Sequence, residues 1–191
     1  MNIQSIAQHR RMQGFTMIEL IVVIVILGIL AAVALPRFTN IQRDARIAKL
    51  NAARGAVQAA AGMIHGTALA RGGIADTAAC PGGGGTANNA LGAAGTICTE
   101  NGLVTMVNGY PAATVAGIVS ASGLTSVMNP TAAQLAADGF QTNGAGPIDI
   151  RVIGGSNPAT CFFRYAAAAA NAAPGVGALT PASATGNTAG C

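Results

Sequence analysis

The chain has 191 residues, of which 51% are hydrophobic, 8% charged and 4% aromatic, with no Trp. Globular domains usually carry about 25% charged residues, so this is not the composition of an ordinary soluble enzyme, and so few charges also exclude charge-driven disorder. Ala and the 26 Gly supply much of the apolar fraction and offer little area per residue for burial, while a net charge of +4 is too thin an excess for a nucleic-acid footprint.

Leu20 to Leu35 contains no charged residue, and Phe15 to Ile18 extends the run with Glu19 as its only charge. About 20 apolar residues are enough to cross a bilayer as a helix. A cleaved secretory signal would use Arg10 and Arg11 in front and Ala32-Val33-Ala34 behind, but a carboxylate at Glu19 is disfavoured within such a segment. A plain signal anchor fails on charge counting, because Arg37, Arg43 and Arg46 beyond the run outnumber Arg10 and Arg11 before it.

The residues Gly14-Phe15-Thr16-Met17-Ile18-Glu19-Leu20, placed after a short basic leader and before the apolar run, resemble the processing site of type IV prepilins and related pseudopilins. The resemblance implies peptidase cleavage between Gly14 and Phe15, N-methylation of Phe15 and a role for Glu19 in assembly. Physical reasoning supports that role. A charge at the bilayer centre costs about 2.5–3.5 kcal/mol; Glu19, about one turn from Phe15, costs less but still calls for a partner, and the ammonium created at Phe15 of a neighbouring subunit would supply one. A local alternative also exists, since Thr16-x-x-Glu19 matches a helix capping box. The two roles are compatible.

Apolar spacing continues past Pro36, where a kink is expected. Phe38, Ile41, Ala45, Ala48, Ala52 and Ala59 form one stripe, and Ile47, Leu50, Val57, Ala61 and Ile64 form a second beside it. Arg37, Arg43, Asp44, Arg46, Lys49 and Arg54 cluster in the same stretch. One helix is expected from about Phe15 to Ala70, closed by Gly72-Gly73 and roughly 84 Å long. Its small residues, such as Gly28, Ala31, Ala32 and Ala34, allow close helix approach.

Arg71 to Gly102, with its run Pro81 to Gly85, reads as a loop. It is not a phosphate cradle, because no Gly-Lys-Ser/Thr follows and the chain's only Lys is Lys49. Residues 103–107, 148–153 and 160–165 read as strands, and 112–120 and 131–137 as short helices. Cys80, Cys98, Cys161 and Cys191 form no C-x-x-C pair, and an even count beyond an export segment favours disulfides over free thiols. Four cysteines allow three connectivities, of which sequence proximity favours Cys80–Cys98 with Cys161–Cys191, the second pinning a tail that begins near Asn171.

This layout again resembles type IV pilins. The stretches Asn40 to Arg46, Gly109 to Thr114 and Cys161 to Tyr165 are similar to the mannose-sensitive haemagglutinin branch of that family. The resemblance implies an α+β fold, with a long N-terminal helix packed on a small antiparallel sheet and a disulfide-bounded C-terminal region. It divides the chain into a leader (1–14), a transmembrane and filament-core helix (15–35), an amphipathic continuation (36–70) and a globular head (71–191).

The function implied is that of a structural subunit, not an enzyme, with no cofactor or metal. His9 and His65 suggest no catalytic arrangement, and Asp138 to Asn143 lacks EF-hand spacing. Expected partners are copies of the same chain, the prepilin peptidase, an inner-membrane assembly platform and the inner membrane before assembly; the host or surface ligand is left unspecified. The expected location is the inner membrane for the precursor and a cell-surface filament for the mature subunit, serving adhesion, motility or DNA uptake. Two rivals are a type II secretion pseudopilin, which shares the motif, and a Sec-exported soluble binding domain cleaved after Ala34.

Overall fold

The computed structural model describes residues 14–144 and 146–191, so most of the leader lies outside the described residues. Contacts divide the chain into a unit ending at Ile41 and a second running from Gln42 to Cys191. The fold is α+β.

Helix α1 spans Met17–Arg71, 55 residues, with Pro36 inside it. Proline has no amide hydrogen to give the helical ladder, yet the helix runs through this position rather than ending there. Its C-terminus closes where Gly72 and Gly73 take φ of +58° and +77°, a left-handed turn that glycine makes without a Cβ penalty. The Gly72 amide donates back to the Ala68 and Leu69 carbonyls, both at 3.2 Å.

Two antiparallel sheets follow. The first joins β1 (Gly95–Thr99), β2 (Gly102–Val107) and β3 (Tyr110–Pro111) in that order. The second has five strands, β4 (Phe140–Thr142), β5 (Ile148–Val152), β6 (Phe162–Ala166), β7 (Gly175–Val176) and β8 (Gly186–Asn187). Its order is β4-β5-β6-β7, with β8 also paired to β6. Strand β2 alternates buried and half-buried positions along its length, the period-2 signature of one covered face.

Several segments differ from the sequence expectation. Strand β1 lies inside the stretch read as a loop, because its partner β2 fixes it through a full register from Gly95↔Met106 to Thr99↔Gly102. The tail beyond Asn171 supplies β7 and β8, and both are held by β6. The segment 112–120 forms no α-helix but one π-helical turn, Val115–Val119. Thr114 caps this turn by accepting from the Gly117 amide at 3.0 Å, and a Cβ on Gly117 would strike the Ala112 backbone. Helix α2 (Ala132–Ala137) starts at a reciprocal box in which Thr131 and Gln134 satisfy each other's amides at 2.9 and 3.3 Å.

The second of the two stripes on α1 is the buried one. Leu50, Ala53, Val57 and Ala61 pack with Ile148, Ile150, Phe163 and Tyr165 of the five-stranded sheet. One turn further on, Ile64 and Ala68 join Ile97, Val104 and Met106 of the three-stranded sheet in a separate cluster. The first stripe, from Phe38 to Ala59, is exposed throughout. The cations near the start of this packed region serve the head directly. Arg46 Nε donates to the Cys191 carbonyl, Lys49 Nζ to the Asp138 carbonyl at 2.6 Å, and Arg54 Nε to the Gly177 carbonyl at 2.8 Å. Lys49 also lies 4.4 Å from the centre of the Phe140 ring.

On the opposite face of the second sheet, Asp149 stands directly across from Arg164 in the β5–β6 register. Its carboxylate takes two bonds from that guanidinium, at 2.6 and 3.1 Å, and a third from Arg151 at 3.3 Å. The bond to Asp149 holds Arg164 even more firmly protonated than usual.

The Tyr165 ring is fully buried, and its hydroxyl donates to the Pro111 carbonyl at 2.8 Å, tying the second sheet to β3. Burial raises the Tyr165 phenol well above its usual value. The folded state therefore favours the neutral phenol, a contribution complete below about pH 10 and lost as pH climbs from the unfolded phenol's value toward the folded one. Denaturant melts of Tyr165→Phe should show a loss of about 1 kcal/mol at neutral pH and a shallower decline above pH 10 than the parent chain. A parallel decline in both proteins would rule out Tyr165 as the alkaline trigger.

Candidate functional site

The apolar segment of α1 starts at an ordered cap. The Glu19 carboxylate accepts from the Thr16 amide and the Thr16 hydroxyl, both at 2.9 Å, and the Glu19 amide donates to Thr16 Oγ1 at 3.2 Å. These reciprocal bonds satisfy donors that the first turn of a helix leaves unpaired, and they place the carboxylate at the positive end of the helix dipole. Gly14 and Phe15 precede the cap in non-helical backbone, and Phe15 is 89% exposed. Both residues of the Gly14-Phe15 bond are thus exposed and lie outside regular secondary structure.

Every described residue from Phe15 to Leu35 is exposed. Among the described residues, α1 is the one helix long and apolar enough to cross a membrane, and its most apolar window has none of its residues buried within the chain. A face of this size on an isolated soluble protein would be an aggregation hazard, so it belongs in lipid or against other helices. Gly28 lies within it, and a Cβ there would meet nothing within 4 Å.

A family model described as "Prokaryotic N-terminal methylation motif" matches residues 9–35. The match lies within the N-terminal segment that holds Gly14, Phe15 and Glu19. Among curated proteins, the chain is 50% identical over 50 residues to the "Type IV narrow pilus major component PilA5" of Thermus thermophilus. That stretch covers 26% of this chain and 43% of the relative, so the match spans less than half the relative's length. No solved structure matches the chain.

The remaining sequence-singled residues are placed as follows. Cys80–Cys98 and Cys161–Cys191 are both disulfides. The first anchors the long segment after α1 to β1. The second joins the start of β6 to the end of the tail. His65 stacks on Tyr110, with ring centres 3.9 Å apart, and its Nδ1 lies 3.1 Å from the Gly109 carbonyl, so it is a packing residue of the head. Asp138 to Asn143 is the end of α2 followed by β4, not an open loop.

Sequence reasoning missed the buried polar knot at the end of α1. Arg71 pairs with Asp76 at 2.6 Å, and the fully buried Asn89 donates to the Asp76 carboxylate at 2.8 Å and the Ile74 carbonyl at 2.7 Å. The available signal was an Arg at the helix C-terminus followed within one loop by an Asp and an Asn.

Replacing Thr16 with Ala should cost about 1 kcal/mol at the helix N-terminus. Amide exchange of residues 17–19 in detergent micelles would rise several-fold while exchange across β5 and β6 stays unchanged. Equal exchange in both proteins would remove the cap as a determinant of the helix start.

Proposed function

We propose that this chain is a structural subunit of a type IV pilus. The observation that carries the reading is the exposed, charge-free run from Leu20 to Leu35, opening on the Thr16–Glu19 cap directly after Gly14-Phe15. In this account the precursor sits in the inner membrane through α1. The prepilin peptidase cuts between Gly14 and Phe15, Phe15 is N-methylated, and the assembly platform lifts the subunit into a helical polymer.

The chemistry of Glu19 supports this order of events. The Thr16 bonds content the carboxylate in the lone subunit without neutralising it. After cleavage, the ammonium on Phe15 of a neighbour could replace them, and opposite charges about 4 Å apart attract by about 4 kcal/mol at an effective dielectric near 20. Methylation keeps that positive charge. The pair would fix the axial register of one helix on the next.

The helix beyond the apolar run supports the same reading. Gly55, Gly62 and Gly66 are exposed, and a Cβ on any of them would meet nothing within 4 Å. Each costs the helix about 1 kcal/mol relative to Ala, and no contact within the chain repays it. Close approach by another helix does.

Shearing cells, collecting fibres and measuring the subunit's N-terminal mass tests the proposal, with a chain beginning at methylated Phe15 as the expected result. A chain beginning at Pro36 sinks it, and a Phe15 terminus confined to the envelope without fibres indicates a pseudopilin instead. In Glu19→Ala, cleavage should proceed normally while fibre yield drops by about tenfold or more. Unchanged yield would remove Glu19 from assembly.

A further inference from the structure

Beside the exposed face of α1, the head carries a groove of about 680 Å³. Ala60, Met63 and Ile64 of the helix and Ala121 form its apolar lining, with Arg71 and Glu100 at its polar edge. Met63 is 66% exposed there, so no part of this chain fills the groove.

Glu100 is the unspent charge of that edge. Among the described residues Asp76 and Asp149 are ion-paired and Glu19 is bonded to Thr16, while the side chains of Asp44, Glu100 and Asp138 make no hydrogen bond or ion pair, and of these three Glu100 alone lines the groove. The cations divide in the same way. Arg71, Arg151 and Arg164 hold carboxylates, and Arg46, Lys49 and Arg54 hold backbone carbonyls. Arg37 and Arg43 are the two described cations with no such partner.

Arg37 also has apolar company. Phe38 and Ile41 are 63% and 62% exposed, and Ile41, four residues from Arg37 and three from Phe38, neighbours both on the helix surface. This turn offers an aromatic side chain, which the groove's own lining lacks. The exposed face of α1 that runs up to Met63 suits the approach of a helix. Ala45, Ala48, Ala52, Gly55, Ala59, Gly62 and Gly66 recur at alternating steps of three and four, and all are exposed. Such a track lets a second backbone lie close to Met63.

We propose that the groove receives the Arg37–Ile41 turn of a second copy of this chain, with Phe38 against Met63 and Ala121 and Arg37 paired with Glu100. The contact rests on the pilus reading and adds to it a specific surface on the head. It gives one subunit a donor turn and its neighbour an acceptor groove, so each copy carries both halves and the contact repeats along a polymer.

A charge-swap experiment on full-length chains, read as sheared fibre yield, tests it. Glu100→Arg and Arg37→Glu should each lower the yield by about tenfold, and the double swap should bring it back to within about twofold of the parent. Processing to Phe15 and both native disulfides should be intact in every variant. Near-normal yield from either single variant, or a double variant no better than the singles, overturns the contact while parental fibres leave the pilus reading standing. Absence of fibres from the parent chain takes both readings down. As a second measure, Phe38→Ala should reduce yield and Phe38→Leu should retain most of it; equal loss in both would show that the groove is not what Phe38 fills.

Discussion

The head depends on the buried face of α1 from Leu50 to Ala68. Two sheets that share no strand each rest on that face, one over Leu50 to Ala61 and the other over Ile64 and Ala68. Neither sheet is large, and a chain this rich in Ala and Gly cannot make a thick aliphatic core. The helix supplies the common floor that the strands do not provide for each other. The Tyr165 hydroxyl bond to Pro111 is the polar counterpart, reaching from one sheet to the other above that floor.

Around this contact the chain uses fasteners that need little apolar area. Arg46, Lys49 and Arg54 reach from the helix to three carbonyls that come from the end of the tail, the end of α2 and the residue after β7. Long cationic stems of this kind cover apolar surface while their heads form charge-assisted bonds. Two disulfides and the Arg71–Asp76–Asn89 knot do the same for the long segment after α1 and for the tail. Six of the eight described cations are assigned to a particular carbonyl or carboxylate.

The sequence was most legible where a period or a motif spans many residues. The helix, its buried stripe and strands β2, β5 and β6 follow from hydrophobic spacing and β-branched enrichment. Strands β4, β7 and β8 are only two or three residues long, β1 is built largely of Gly and Thr, and the extended form of all four comes from a partner strand rather than from their own composition. The π-helical turn arises from Thr114 and Gly117 in contact with Ala112, a geometry no window average reports. At the N-terminus, the Gly14-Phe15 junction and Glu19 were readable as a unit, and so was the Thr16 cap. The Asp149–Arg164 pair was hidden because opposite charges on two strands acquire meaning only once the register is known.

The short strands have a consequence for growth. On β6, β5 occupies one edge and β7 with β8 the other. The outer side of β1 is met by Asn88 and Asn89, which bond the Thr96 amide and carbonyl at 2.8 and 2.9 Å. Among the described residues, what remains open is β4, β3 and the outer side of β7, each only two or three residues long, while Thr180 bridges to Asn187 on the outer side of β8. Open sheet edges invite indiscriminate pairing with other chains, and short or blocked ones suppress it. Copies of this chain brought close together have almost no means of joining strand to strand through the described residues. In the polymer proposed above, the contacts left to build it are those of the helix and of the groove on the head.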